Sequence, residues 1–226
     1  MDSLIQNISA TDTSEAVQEE IFSIIDLMTS GGTGGNIIMS VLVILSIFSI
    51  YILIERISSL NKAKKGNPDF ISKINTLVNN NKFSEAISIC KEEDSTISRM
   101  IEKGLKRNGK PFNEIHSAME NQGKLEVNKL EYNLTNLATI SGAAPMIGFL
   151  GTVIGMILAF HDMASAGGNV DVELLSKGIY TAMITTVAGL IVGIISYISY
   201  NFLLSKIDKI VFTMESASSE FLDNLQ

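Results

Sequence analysis

Three stretches of almost unbroken apolar residues, at 37–54, 137–160 and 178–204, punctuate the chain. As α-helices rising about 1.5 Å per residue they would measure roughly 27, 36 and 40 Å, against a hydrocarbon core of about 30 Å. The second and third contain no Asp, Glu, Lys, Arg or His. Both carry small and hydroxyl residues at helical spacing: Ala144, Gly148, Gly151 or Thr152, Gly155 and Ala159 in one, and Gly178, Ala182, Thr185, Gly189, Gly193 and Ser196 in the other. A helix that only faces lipid is well served by Leu and Ile all round. A seam of small residues predicts that another backbone approaches closely, with hydroxyls bonding across the contact.

Between and around these runs the pattern stays helical. Over residues 12–30, Val17, Ile21, Ile24 and Met28 share a face edged by Glu15, Glu19, Glu20 and Asp26, which predicts a short amphipathic helix lying on a membrane surface or against protein. Gly31, Gly32, Gly34 and Gly35 should break that helix and form a flexible joint. After the first span, Asn67–Pro68 reads as a helix start, Asn79–Lys82 as a turn, and two further short helices end at Asn108–Gly109. From Phe112 one helix is expected to run unbroken into the second span, because Val127, Leu130, Leu134 and Leu137 continue its stripe. Ile207, Ile210, Val211, Met214 and Phe221 likewise extend the third span beyond the bilayer. No period-two strand pattern and no internal repeat stands out.

Charge gives the orientation. No Lys or Arg precedes the first span, whereas Arg56, Lys62, Lys64, Lys65 and Lys73 follow it. Lys124 and Lys129 precede the second span, Lys177 alone lies between the second and third, and Lys206 and Lys209 follow the third. The positive-inside rule then predicts the following organisation. Residues 1–36 form a periplasmic amphipathic segment, 37–54 the first span and 55–136 a cytoplasmic helical domain. Residues 137–160 form the second span, 161–177 a periplasmic loop, 178–204 the third span and 205–226 a cytoplasmic C-terminal helix. The N-terminus lacks a basic stretch leading into an early apolar core, so no signal peptide is expected. Glu55–Arg56, where the first span stops, reads as an anchor at the headgroups.

Composition narrows the chemistry. Net charge is −7 with 18% charged residues, and no basic stripe interleaved with aromatics points to nucleic acid. One cysteine, Cys90, excludes an internal disulfide or a Cys cluster and reads as a small core residue. His116 and His161 are isolated, and no phosphate-binding glycine loop or nucleophile–base pair is present, so the chain reads as no enzyme and implies no cofactor and no metal. What remains is the hydroxyls at membrane depth: Thr152, Thr181, Thr185 and Thr186. They serve either as helix-to-helix bonds or as a polar path. Pro145 removes one backbone bond and should kink the second span, as a structural bend or as a gate.

The motif GFLGTVIGM at 148–156, followed by TTVAGLIVGI at 185–194 and Tyr200–Asn201, resembles the ExbB/TolQ/MotA family of ion-channel stators, most closely its ExbB/TolQ branch. Glu55–Arg56 fits the same resemblance. The likeness implies a ring, a pentamer in that family, of three-span subunits with long cytoplasmic helices. Its pore would be lined by the second and third spans, with Thr152 and Thr186 in the pore-lining threonine motifs and Thr181 and Thr185 beside them. Gly148, Gly151, Gly155, Gly189 and Gly193 would serve as helix-packing positions. The chain departs from the family at Thr181, where that branch carries glutamate, so a charge-carrying side chain has to come from another chain. The resemblance supplies one: an ExbD/TolR-like single-span protein with an intramembrane Asp, working on a TonB- or TolA-like protein. It implies an inner-membrane ion channel that uses the proton motive force for TonB-dependent transport. A TolQ-like envelope motor and a non-conducting helical scaffold stand as alternatives.

Overall fold

The computed structural model describes residues 32–63, 69–165 and 172–225. Among them every element is an α-helix: α1 (Gly32–Ala63), α2 (Phe70–Asn79), α3 (Phe83–Glu93), α4 (Thr96–Leu105), α5 (Phe112–Glu131), α6 (Leu134–Ser165) and α7 (Val172–Asp223). Three helical runs are long and apolar enough to cross a membrane. The all-α, three-span architecture is therefore the one the apolar pattern predicts. The amphipathic segment read over 12–30 lies outside the described residues.

Two local expectations need correction. The glycine stretch is no joint from Gly32 onward, because α1 begins there and takes Gly34 and Gly35 into the helix. A Cβ on Gly34 would stand 3.4 Å from Ile154 Cγ2, and one on Gly35 would stand 3.6 Å from the Thr181 methyl. These glycines bring α1 close to its neighbours, and backbone in lipid is best satisfied as helix. The helix start read at Asn67–Pro68 lies outside the described residues; α2 itself runs from Phe70, after Asp69, whose side chain makes no cap hydrogen bond. Second, the helix from Phe112 stops at Glu131: Tyr132 has φ −52° and ψ 135°, and α6 starts only at Leu134. Asn133 sits at φ +65°, a left-handed conformation that asparagine tolerates better than most residues. At Pro145 α6 continues without a break, as α7 does along its full 52 residues.

The described residues fall into two compact units, one within Met1–Val43 and Pro145–Leu190 and one within Ile44–Ala144 and Ile191–Gln226. The second has a core of large side chains, in which Ile74, Ile101, Met119, Leu137, Leu203 and Phe221 are fully buried. Each such burial contributes about 1.5–3 kcal/mol. Cys90 is part of this core. Ser95 and Ser98 start α4 by reciprocal capping, Ser98 N–H to Ser95 Oγ at 3.1 Å and Ser95 N–H to Ser98 Oγ at 2.8 Å.

Candidate functional site

The first unit is built on backbone proximity. A Cβ on Gly148 of α6 would lie 2.7 Å from the Thr185 carbonyl oxygen and 3.0 Å from Gly189 Cα of α7. One on Gly151 would be 2.7 Å from Thr185 Cβ, and one on Gly155 would be 2.9 Å from Ala182 Cβ. The seam ends with Gly178 against Ala159, at 2.5 Å for the same construction. Real Cβ contacts are not this short, so glycine is required for the two helices to touch. Gly193, further along α7, is buried in the second unit.

This proximity brings three threonine hydroxyls and two backbone carbonyls within hydrogen-bond reach. Thr152 Oγ1 donates to the Ala182 carbonyl at 3.0 Å, and Thr186 Oγ1 donates to the Gly148 carbonyl at 3.1 Å. The Thr152 and Thr186 hydroxyls also contact each other. Thr185 Oγ1 donates to the Ala182 carbonyl at 2.7 Å and reaches the Gly148 carbonyl at 3.3 Å. A hydroxyl has one proton and two lone pairs, so three hydroxyl protons serve a cluster with acceptor capacity left over. The cluster is neutral and rich in acceptors. Thr152 and Thr186 are half-buried, Thr185 lies wholly between the helices, and Thr181 is buried with its methyl toward Gly35. Pro145 begins the α6 part of this unit, one turn before Gly148.

The second unit adds polar groups that sequence reasoning passed over. Ser49 and Ser196, both buried, share a 2.8 Å hydroxyl bond between α1 and α7. Arg56 is turned inward, which corrects its reading as a headgroup anchor: it pairs with Glu55, donates to the Lys129 carbonyl at 3.1 Å and stands 5.5 Å from the Tyr132 ring centroid. That carbonyl belongs to the last turn of α5, where the stop at Glu131 removes its helical partner, so Arg56 acts as a cap. Glu126 of α5, its side chain 2% exposed, accepts hydrogen bonds from Arg99 at 2.8 Å, Gln122 at 2.9 Å and Lys129 at 2.9 Å. Burial works to raise the Glu126 pKa, but the bonds and charges of Arg99 and Lys129 outweigh it and hold the carboxyl below its usual range. The only sequence signal was phase, since Glu126 stands at a core position with Met119, Gly123 and Leu130. Among the described residues no cluster of His, Cys, Asp and Glu could hold a metal.

A multi-pass membrane protein with two glycine-seamed spans and a helical, charge-pinned extension is the class these features define. Residues 92–216 match the MotA/TolQ/ExbB proton channel family, and the chain belongs to that family. It is 29% identical to an ExbB homolog, a biopolymer transport protein of Methanothermobacter thermautotrophicus, over 82% of this chain and 64% of the relative. To the biopolymer transport protein ExbB of Helicobacter pylori it is 43% identical over 35% of this chain and 54% of that protein. The ExbB of Neisseria meningitidis is 26% identical over 76% of this chain and 84% of its own length. The chain thus spans less than two thirds of the length of the first two relatives.

Proposed function

We propose that the chain is an ExbB-like ion-channel subunit of an inner-membrane motor. It assembles as a ring, a pentamer by its resemblance, around an ExbD/TolR-like pair with an intramembrane Asp, and drives a TonB-like protein for outer-membrane transport. The observation that carries this reading is the neutral, acceptor-rich cluster of Thr152, Thr186 and the Gly148 and Ala182 carbonyls on a family-matched pair of spans. Such a cluster can accept a hydrogen bond from a partner's carboxylic acid or orient water, while holding no charge of its own. Thr185 serves packing, and Thr181 leaves the acid to the partner. One charge crossing about 100 mV releases roughly 2.3 kcal/mol, so a forceful stroke draws on several ions.

The scaffold reading has one observation in its favour: these hydroxyls already bond across the helices. Proton flux into liposomes holding the chain and its single-span partner separates the two. Replacing Thr152 and Thr186 together by Val keeps shape and removes the polar groups, so flux should fall about ten-fold or more while the ring survives, since an unpaired buried polar partner costs about 1–3 kcal/mol. Undiminished flux in that double variant would take the two threonines out of the ion path, whereas no flux from the unaltered pair would leave the scaffold.

The proposed orientation places residues 1–36 and 161–177 in the periplasm and 55–136 in the cytoplasm. Cys90 is a poor reporter of it, because burial first and the Glu102 charge second push its thiol up to about 12. A cysteine at exposed Lys110, in a Cys90→Ala chain, should react with an impermeant thiol reagent only after the inner membrane is opened. Reaction in intact spheroplasts would reverse the topology.

A further inference from the structure

One face of α7 changes character where the helix leaves its span. Ile191, Ile195, Ile198 and Phe202 are exposed, and at about 100° per residue they keep to a single stripe of the helix. Lys206 and Lys209 continue that stripe beyond the third span as read from the sequence. At about 1.5 Å per residue they stand roughly 3 and 7.5 Å past its end. Both depths fall within the headgroup layer, which is about 5–8 Å deep on each side of the hydrocarbon core. The Lys206 ammonium lies 4.6 Å from the Phe202 ring centroid, where the apolar stripe stops.

Below the lysines the second unit holds a cavity of about 510 Å³ between α7, the end of α1 and the starts of α2 and α4. Lys206, Lys209, Asn61 and Thr213 line its membrane end, and its apolar walls include Phe70 and Ile210. Among the described residues neither lysine has an ion-pair partner. The carboxylate that lines the cavity, Glu220, stands about 16 Å along the helix from Lys209. It accepts a hydrogen bond from Asn75 at 3.1 Å. Asp208, between the lysines in sequence, is turned about 100° or more away from both. Two unmatched cations therefore face an opening with neutral surroundings.

We infer that this is a binding site for an anionic phospholipid. The phosphate lies between Lys206 and Lys209, a hydroxylated headgroup enters the cavity toward Asn61 and Thr213, and an acyl chain follows Phe202, Ile198 and Ile195. Depth and charge together choose the occupant. A soluble anion would match the lysines and leave the stripe bare, and an apolar peptide would fill the cavity and leave the cations unmatched. A lipid answers all three, because basic pockets at the ends of spans attract anionic headgroups. The inference goes beyond the channel reading: it needs the spans to lie in a bilayer and uses neither the ring nor the single-span partner.

The test uses the full-length chain in a neutral detergent, with phosphatidylglycerol, phosphatidylcholine or inorganic phosphate added, read by native mass spectrometry. Phosphatidylglycerol should remain bound under conditions that strip phosphatidylcholine. Lys206→Gln with Lys209→Gln should weaken its retention about ten-fold or more, with helix content unchanged. Lys62→Gln with Lys73→Gln removes the same charge from exposed lysines outside the cavity and should leave retention at the parent value. Thr213→Trp, which keeps both lysines and fills the membrane end of the cavity, should weaken retention several-fold. Equal loss from the two double variants would overturn the site by reducing the lysines to a general basic collar. Equal retention of the two lipids, or unchanged retention in the Thr213→Trp chain, would overturn it as well. Inorganic phosphate bound as tightly as the lipid would replace the lipid by a soluble anion.

Discussion

Residues 145–190 and the Glu126 region of the second unit hold their helices together by opposite means. In the first, no large side chain separates α6 from α7: Gly148, Gly151 and Gly155 let backbone meet backbone, and neutral hydroxyls bond to carbonyls across the seam. In the second, Ile74, Met119 and Phe221 fill space, and charges are buried only where they are matched, as Glu126 is by Arg99 and Lys129. The difference follows from solvent. In lipid, apolar side chains gain nothing by leaving their surroundings, so van der Waals contact and hydrogen bonds must do the joining. In water, the hydrophobic effect supplies the drive, and an ion pair can be tolerated if its partners are complete.

Breaking the first region should have the largest effect. Gly148→Leu would push a side chain into the Thr185 carbonyl and the Gly189 backbone, and the α6–α7 contact has no slack to take it up. We expect loss of assembled protein, read as the absence of the ring on native mass spectrometry. Normal assembly would mean that the seam opens in the oligomer.

The charged region should respond less and should respond to pH. Glu126→Ala removes a buried carboxylate and strands Arg99 and Lys129, both of which retain access to water, so the cost is expected at about 2–3 kcal/mol. The Glu126 carboxyl titrates lower in the folded than in the unfolded chain. Its contribution is then complete above the ordinary glutamate value of about 4.3 and fades as the pH falls through the lowered folded value. Glu126→Gln should flatten that acid dependence in denaturation of the detergent-solubilised protein. An equal acid slope in variant and parent would move the effect to another carboxyl. The smallest change should come from Ser196→Ala, which leaves Ser49 without its hydroxyl partner: about 0.5–1.5 kcal/mol, measured by denaturant titration.

The spans, the long C-terminal helix and the small-residue seam were legible because lipid imposes a composition over tens of residues. Local decisions were not. The stop at Tyr132–Asn133 is invisible to a stripe that runs through Leu130, Leu134 and Leu137 on both sides of it, and Asn133 alone signals a left-handed turn. Glycines 34 and 35 carry the same letters in a joint and in a close helix contact, and only the presence of Ile154, Leu158 and Thr181 decides between them. Glu126 occupies a core position in a sequence where an acid is ordinarily taken as surface, and its partners come from 27 residues away as well as from its own helix. For the threonines, the residue type gave the chemistry, but which hydroxyl sits between helices and which is half-exposed depends on rotation of α7.

The seam also fixes how much genetic variation the protein can absorb. At Gly148 even the methyl of alanine would fall 2.7 Å from a carbonyl oxygen, and every missense change from a glycine codon adds at least a Cβ. A core position such as Met119 has neighbours of its own kind, and aliphatic exchanges of similar volume there are usually mild. A saturation library should therefore come back from selection nearly empty at Gly148 and mixed at Met119, so that mutational tolerance alone would trace the line where two backbones touch.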